Sequence, residues 1–363
     1  MQNTIQELNK RNNEIFQLLF QQGAKTKKEL QELLFLKPTT LNRTLDELIA
    51  SQLVINAGEV PSTGGRKAES FSMNDRTFCI IGIEISRTTV RLLLINLQLD
   101  ILDKATFDIS RKSSPQIIFK KIDTILTHWL EKQSRSLLGI GVGTIGPLDH
   151  DKGTLLSING FEHPDWKNLS IKELIEKKYN VPCFVDNGVN CAVLAENLFG
   201  IGKKKQRLAY IHSGIGIRSS VINNGVILRT LNDHEDALGN MHLLLQEETK
   251  TLEELCGLHT FFDNEETFSA PHLIQTACIE KKATIFGLAL ANFARLLNPE
   301  MMLLSGPSFE LLPQYFEQVK RSFYTNYPEA VKSIYVEKEG TFEQDVIAVG
   351  AAIIVIVNEK QEN

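Results

Sequence analysis

The feature that most constrains the fold is an abrupt change of pattern near residue 79. Before it, three short amphipathic helical patterns precede a turn-rich hairpin pattern. After it, apolar β-rich runs such as CIIGIEI and VRLLLINL alternate with helical patterns up to the C-terminus. Such alternation predicts an α/β fold for the larger part. A chain of 363 residues is too long for one core, so we expect division into residues 1–75 and 76–363.

Residues 1–75 have the pattern of a winged helix-turn-helix. Thr26 and Glu29 stand at capping-box spacing and predict the start of a second helix. A third helix is predicted to begin near Pro38, a residue tolerated in a first turn. A Pro-Ser-Thr-Gly-Gly turn between two short apolar runs then predicts a hairpin. The residues predicted to form the buried faces of the second and third helices are Leu30, Leu33, Leu34, Leu41, Leu45, Leu48 and Ile49.

The third helix is the candidate recognition helix. It combines an apolar face with short polar residues near its N-terminus, which can reach base edges. Arg43 can read guanine through two hydrogen bonds, Asn42 can read adenine, and threonines can contact phosphate or a thymine methyl. Cations on the wing can contact the backbone or a minor groove. The candidate DNA-binding residues are Lys37, Thr39, Thr40, Asn42, Arg43, Arg66 and Lys67.

Charge leaves a protein-binding alternative open for this segment. Residues 1–75 carry nine lysines or arginines and nine aspartates or glutamates, and the whole chain has a net charge of −5. The segment is therefore neutral, whereas DNA-binding domains are commonly basic. Its cations nevertheless cluster around the second helix, the third helix and the wing, which favours DNA over a protein partner.

Cysteine usage and the N-terminal sequence indicate a cytoplasmic protein. The five cysteines include no C-x-x-C pair, so neither a zinc ribbon nor a disulfide framework is predicted. The N-terminal run MQNTIQELNKRNN has no apolar signal-peptide core. No stretch approaches the roughly 18 apolar residues of a membrane span. We therefore expect no contact with a membrane.

The order and spacing of several motifs resemble the ROK family (repressors, open reading frames and kinases). The matching segments are GIEISRTTVRLLLINL, GIGVGTIGPLD, VPCFVDNGVNCAVLAENLFG, LLNPEMMLLSGP and VGAA. The N-terminal segment is similar to that of the family's repressors, through T-x-x-R-x-L-x-x-L-I and GGRKAES. The resemblance spans nearly the whole chain. It implies a two-lobed, actin-like ATPase (sugar-kinase-like) fold for residues 76–363. Two similar strand pairs in the sequence also suggest that the two halves of this part have a duplicated architecture.

The catalytic and metal positions depart from those of the family's kinases. Residues 84–88 keep neither glycine of the phosphate-binding Asp-x-Gly-Gly-Thr, and residues 214–220 keep half the glycines of the second phosphate loop. The kinases' base aspartate corresponds to Gly188, which has no side chain to accept a proton. Thr251 stands where the last zinc cysteine would be. We therefore expect no catalytic residue, no metal and no cofactor.

The remaining positions of the resemblance imply a cleft that binds an effector. Amides and carboxylates suit the recognition of sugar hydroxyls, because together they supply donors and acceptors. A structural alternative stays open, since Asn187 could instead N-cap a helix at 188–199. The candidate effector-binding residues are Asn159, Asn187, Asn240, His242 and Glu253.

The leading hypothesis is a repressor of carbohydrate-utilisation genes. It would bind a palindromic double-stranded operator as a homodimer or homotetramer and respond to a sugar or sugar phosphate. One alternative is a sugar kinase with a DNA-binding appendage, in which Asp186 acts as the base. The other is a protein-binding scaffold with a vestigial pocket.

Overall fold

The computed structural model describes residues 5, 7–61, 67–157, 161–229, 237–245, 248–262 and 276–357. The chain forms two compact units. The first unit is built from Met1–Thr144, Asp151–Val185 and Ala351–Asn363, and the second from Ile145–His150 and Asp186–Gly350. The domain boundary predicted between residues 75 and 76 stays a prediction.

Three helices and a small sheet open the first unit, as the winged helix-turn-helix pattern predicts. The elements are α1 (Lys10–Gln22), β1 (Lys25–Thr26), α2 (Lys27–Leu34), α3 (Pro38–Ala50), β2 (Val54–Val60) and β3 (Ala68–Met73). The strands pair antiparallel in the order β1-β3-β2. The capping box is confirmed: Thr26 Oγ1 accepts a hydrogen bond from the Glu29 backbone N–H at 3.3 Å.

Apolar side chains of α1, α2 and α3 form the core of this region. Leu30 of α2 is fully buried, and the fully or almost fully buried residues of α1 and α3 are Ile15, Phe16, Leu19, Leu41, Leu45 and Leu48. Two predicted core residues are wrong, since Leu33 is 46% exposed and Ile49 is 38% exposed. Because α2 has only eight residues, it buries a single leucine, Leu30, completely.

The sheet of the first unit follows directly. From residue 78 to residue 187 the chain forms β4 (Phe78–Ile85), β5 (Thr89–Asn96), β6 (Ile101–Asp108), α4 (Pro115–Lys132), β7 (Ser136–Thr144), β8 (Leu148–Asp149), β9 (Thr154–Leu155), α5 (Ile171–Tyr179) and β10 (Cys183–Asn187). The strand order is β10-β7-β4-β5-β6. The two apolar runs at its start form the expected antiparallel hairpin of β4 and β5, and β6, which the sequence pattern does not predict, adds a third strand. This edge strand alternates exposed and half-buried residues, so it lacks an apolar run.

The second unit repeats this arrangement. Its elements are α6 (Gly188–Leu198), β11 (Arg207–Ser213), β12 (Ile217–Asn223), β13 (Val226–Ile227), β14 (His242–Leu245), β15 (Glu248–Thr251), α7 (Leu252–Cys256), α8 (Thr276–Leu297), β16 (Met301–Ser305), α9 (Pro307–Leu311), α10 (Pro313–Asn326), β17 (Tyr335–Lys338) and α11 (Val346–Val357). The strand order is β13-β12-β11-β16-β17.

The two large sheets share one topology. In each, the first strand pairs antiparallel with the second and parallel with a later strand. The third strand extends the antiparallel side in both. The predicted α/β class and the hint of duplication are confirmed by this correspondence.

Prolines stand at the start of two consecutive helices: Pro307 begins α9, which ends at Leu311, and Pro313 begins α10. Helix α8 spans Thr276–Leu297. In the part of the chain that the structure describes, no helix combines the length and apolar character needed to cross a membrane.

Candidate functional site

Helix α3 presents a polar face beside a buried apolar face. Leu41, Leu45 and Leu48 are almost fully buried and hold the helix against α1 and β2. The opposite face is open to solvent, because each of the candidate DNA-contacting residues on this segment is exposed: Lys37, Thr39, Thr40, Asn42 and Arg43. These residues occupy the N-cap and the first two turns of α3. The structure therefore brings five predicted residues together on one accessible surface.

Arg43 is oriented by a neighbouring carboxylate. Its Nε lies 3.2 Å from Glu47 Oε1, and the arginine side chain is 79% exposed. The other carboxylate oxygen of Glu47 accepts a hydrogen bond from Asn12 Nδ2 at 2.9 Å, which links α1 to α3. An exposed ion pair of this kind contributes about 0–1 kcal/mol, so Arg43 can exchange Glu47 for another acceptor at little cost.

The wing lies between β2 and β3. Lys67 Nζ is 3.4 Å from Glu59 Oε2, and the lysine side chain is 73% exposed. Arg66, the other predicted wing residue, lies outside the described residues.

In the second unit, the buried carboxylate of Asp186 is the centre of a hydrogen-bond network. Arg229 Nη2 donates to Asp186 Oδ2 at 2.6 Å, and Arg229 Nη1 donates to Oδ1 at 3.1 Å. Asn190 Nδ2 and the Asn187 backbone N–H also donate to Oδ1, at 2.8 Å and 2.7 Å. His150 Nε2 lies 3.4 Å from Oδ2. Asp186 is only 3% exposed, and these donors supply the interactions that a buried charge requires.

The network also determines the acidity of Asp186. Burial by itself would raise the pKa of this carboxyl group, but hydrogen bonds from His150 and Arg229, together with their charges, outweigh it. The pKa is held well below its ordinary value. A general base works best when its pKa lies near the working pH. Asp186 is therefore a poor substitute for the missing base.

Gly188 begins α6, where the resemblance places the base aspartate of the kinases. Ile347 of α11 lies beside it: its Cδ1 is 3.2 Å, and its Cγ2 3.4 Å, from the position that a Cβ on Gly188 would occupy. A Cβ here would require the Ile347 side chain to shift by a few tenths of an ångström.

The turn that corresponds to the first phosphate-binding loop of the kinases has its backbone N–H groups bonded to a side chain. Ser86 Oγ accepts hydrogen bonds from the backbone N–H groups of Thr88 and Thr89, at 3.3 Å and 2.9 Å. Glu84, at the end of β4, forms a largely buried ion pair with Arg91 at 2.8 Å. A phosphate-binding loop needs inward-facing backbone N–H groups, and here a serine hydroxyl accepts two of them.

Glu253 of α7 is fixed by two donors. Its Oε2 accepts hydrogen bonds from Arg218 Nη1 at 2.7 Å and from the Ile217 backbone N–H at 2.9 Å. Its side chain nevertheless stays 27% exposed, so part of the carboxylate is accessible. Arg218 lies in the second predicted phosphate loop, and its guanidinium lies against the carboxylate that the resemblance assigns to sugar binding.

Strand β12 relates Glu253 to the Asp186 network. Ser220 Oγ donates to Asn190 Oδ1 at 2.6 Å, and Arg218 contacts Glu253 two residues earlier on the same strand. Side chains of β12 therefore bond to both the Asp186 network and the carboxylate of Glu253. These two groups form the candidate effector site.

The other predicted effector residues are placed as follows. Asn187 is 1% exposed and stands at the N-cap of α6, but its side chain makes no capping hydrogen bond. Asn240 and His242 are exposed, and His242 pairs with Thr251 across β14 and β15, next to α7. Asn159 lies outside the described residues.

The residues at the family's zinc position do not suit a metal. Thr251 forms a capping box with Glu254 at the start of α7, and Cys256 is fully buried, with its thiol donating to the Lys282 carbonyl. Burial raises the pKa of the Cys256 thiol to about 12, which disfavours the thiolate that zinc requires. Within the described ranges, no three histidine, cysteine or acidic side chains converge as metal ligands.

Sequence reasoning missed two members of the Asp186 network, His150 and Arg229. Neither belongs to a recognisable motif, and Arg229 is 43 residues from its partner. The available signal was indirect: Asp186 ends an apolar strand, and a buried carboxylate requires donors.

Comparisons with known proteins agree with these observations. Residues 80–260 match the ROK family. A putative xylose repressor of Caldicellulosiruptor sp. (strain Rt8B.4) is 24% identical over 333 residues, which are 82% of this chain and 82% of that protein. The crystal structure of a ROK family transcriptional regulator, a homolog of E. coli MLC protein, superposes with a TM-score of 0.76 at 19% identity. That match covers 97% of this chain and 96% of the regulator. A ROK hexokinase from Thermus thermophilus superposes with a TM-score of 0.60 at 19% identity, over 76% of this chain and 97% of the hexokinase.

Proposed function

The chain belongs to the ROK family, and we propose that it is a sequence-specific DNA-binding transcriptional repressor of carbohydrate-utilisation genes. In this proposal residues 1–75 bind DNA in the cytoplasm, and residues 76–363 bind a sugar or sugar phosphate. The similarity to a putative repressor along most of both chains supports the regulatory role.

The observation that carries the DNA-binding role is the two-faced character of α3. Three leucines fix one face, while Lys37, Thr39, Thr40, Asn42 and Arg43 project from the other. Recognition helices place their N-terminal residues against base edges in the major groove. Arg43 would read a guanine through O6 and N7, and Asn42 an adenine. Lys67 and Arg66 of the wing would contact the DNA backbone or a minor groove.

We further propose that a homodimer or homotetramer binds a palindromic operator. Two-fold symmetry would place two recognition helices about 34 Å apart, one turn of DNA. An effector then regulates only through a difference in affinity between the DNA-binding and the free conformations.

We place the effector beside β12, at Asn187 and Glu253, with Asn159, Asn240 and His242 as further contacts. The fixed carboxylate of Glu253 and the groups around Asp186 offer both acceptors and donors to a polyhydroxylated ligand.

Phosphoryl transfer is not part of this proposal. The base position is Gly188, Asp186 is held by Arg229 with a lowered pKa, and Ser86 already accepts N–H groups of the first phosphate turn. Phosphoryl transfer needs positioning, metal and charge stabilisation together. The same observations weigh against a sugar kinase with a DNA-binding appendage.

Fluorescence anisotropy on a duplex from the intergenic region upstream of the gene tests the DNA-binding role. A scrambled duplex is the control, in a salt series from about 50 to 200 mM. The native duplex should bind tightly at the highest salt, and Arg43→Ala should weaken binding by about 10- to 100-fold. Arg11→Ala is the matched control, because Arg11 is an exposed α1 arginine with its own i,i+3 carboxylate partner. Equal, salt-sensitive binding to both duplexes would contradict the proposal.

Thermal shift with sugars and sugar phosphates tests the effector site. A ligand at 100 times its Kd should stabilise the protein by about 2.7 kcal/mol, and Glu253→Gln should reduce the shift. ADP release with any hexose would instead identify a kinase. No shift with any ligand, together with a co-purifying protein, would favour a scaffold.

A further inference from the structure

Phe35 is the most exposed large hydrophobic side chain among the described residues, at 93%. It follows α2 as the C-cap residue, with φ 51° and ψ 39°, in the left-handed region. Bulky side chains disfavour this conformation, and water disfavours an exposed aromatic ring. Neither the local backbone nor the packing of the free protein explains a phenylalanine at this position.

The position of Phe35 in the chain suggests what covers the ring. The residue stands in the short turn that joins α2 to α3, two residues before Lys37, the N-cap of α3. The polar residues of the candidate DNA surface follow immediately. Because the N-terminus of a recognition helix lies against the base edges, the turn before α3 lies close to the same major groove. Phe35 thus extends the polar surface of α3 by one apolar group.

We propose that the Phe35 ring contacts the 5-methyl group of an operator thymine, beside the bases read by α3. In the major groove a T·A pair is distinguished by this methyl group, and apolar side chains recognise it. The contact would give the repressor a preference for thymine at this base pair, in addition to any methyl group that Thr39 or Thr40 contacts. The inference rests on the proposed function, and it adds a specificity-determining residue to it.

A cycle of substitutions in protein and DNA tests the contact. The probe is the upstream intergenic duplex, made once with thymine and once with deoxyuridine at every thymine position. Removing a buried methyl group should weaken binding of the unaltered protein by about fourfold for each half-site. Phe35→Ala should weaken binding to the thymine duplex by at least about that factor. For Phe35→Ala, the difference in affinity between the two duplexes should be smaller than for the unaltered protein by this factor.

Two further variants separate recognition from folding. Phe35→Asn should lose the same affinity while keeping or raising Tm, because asparagine tolerates the left-handed conformation. Leu296→Ala is the matched control, since Leu296 of α8 is 80% exposed and lies outside the DNA-binding region. It should leave binding to both duplexes unchanged.

Other outcomes would overturn the inference in recognisable ways. Equal losses for Phe35→Ala on the thymine and deoxyuridine duplexes would mean that the ring does not read a methyl group. Unchanged DNA affinity with a lower mass in light scattering would show that another protein chain covers Phe35. Failure of the unaltered protein to bind the duplex would overturn the proposed function itself. Binding that survives Phe35→Ala unchanged would overturn this inference alone.

Discussion

Replacing Arg229 by leucine should destabilise the second unit, because it removes two hydrogen bonds from a buried carboxylate. A hydrogen bond to a charged group contributes about 1.5–3 kcal/mol, so the two bonds from Arg229 set an upper value of about 6 kcal/mol. The Arg229 side chain is 30% exposed, and His150, Asn190 and the Asn187 N–H remain as partners of Asp186. We therefore expect a loss of about 2–4 kcal/mol at pH 7.

The loss should depend on pH in a defined direction. In the unaltered protein the pKa of Asp186 is lowered. Its ionised form therefore contributes stability that is present above the unfolded-state pKa of about 3.9 and is lost as pH falls through the folded-state value. In Arg229→Leu, burial is opposed by fewer donors, so the pKa of Asp186 rises and the carboxyl group can take up a proton. The difference between the two proteins should be largest near neutral pH and should shrink towards pH 4.

Urea denaturation followed by circular dichroism at pH 7 and at about pH 4.5 measures this difference. Arg76→Leu is the control, because the Arg76 side chain is 86% exposed and its Nε lies 3.8 Å from Asp75 Oδ1. Loss of such a surface pair should cost at most about 1 kcal/mol. Arg229→Leu with wild-type stability at pH 7, or with the same loss at both pH values, would refute the reasoning.

Three further substitutions give independent tests. Thr26→Ala should cost about 1 kcal/mol in a denaturant titration through loss of the α2 capping box, and Thr26→Ser should restore it. Gly141→Ala should cost about 3 kcal/mol or more and reduce the yield of folded protein, because a Cβ on Gly141 would collide with the Ala351 carbonyl. Gly188→Asp should release no ADP from ATP with any hexose and should lower Tm, because Ile347 must move. Hexose-dependent turnover would show that the phosphate-binding turns still function and that the base alone is missing.

Local signals predicted the N-terminal helices well. Thr26, Glu29 and Pro38 act on the backbone within one turn, so their spacing marks where α2 and α3 begin. The edge strands β6 and β17 were missed for the opposite reason. An edge strand pairs on one side only and does not need an apolar run, so its sequence resembles a loop.

The candidate sites were predictable to different degrees. The exposed residues of α3 follow from helical periodicity, because Leu41, Leu45 and Leu48 determine which face is buried. The partners of Asp186 do not follow from any local pattern. Arg229 approaches this carboxylate through the path of the chain over 43 residues, and only the folded structure brings them together.

Catalysis and regulation require different properties of a ligand-binding site. Catalysis requires groups that stabilise the transition state more strongly than the substrate, and the absence of a side chain at Gly188 removes one of them. Regulation requires only that a ligand bind one conformation better than another. Donors and acceptors such as Asn187, Arg229 and Glu253 can meet that requirement without a base or a phosphate cradle. An effector that is not consumed also reports its concentration at equilibrium, so the proposed regulatory role does not require turnover.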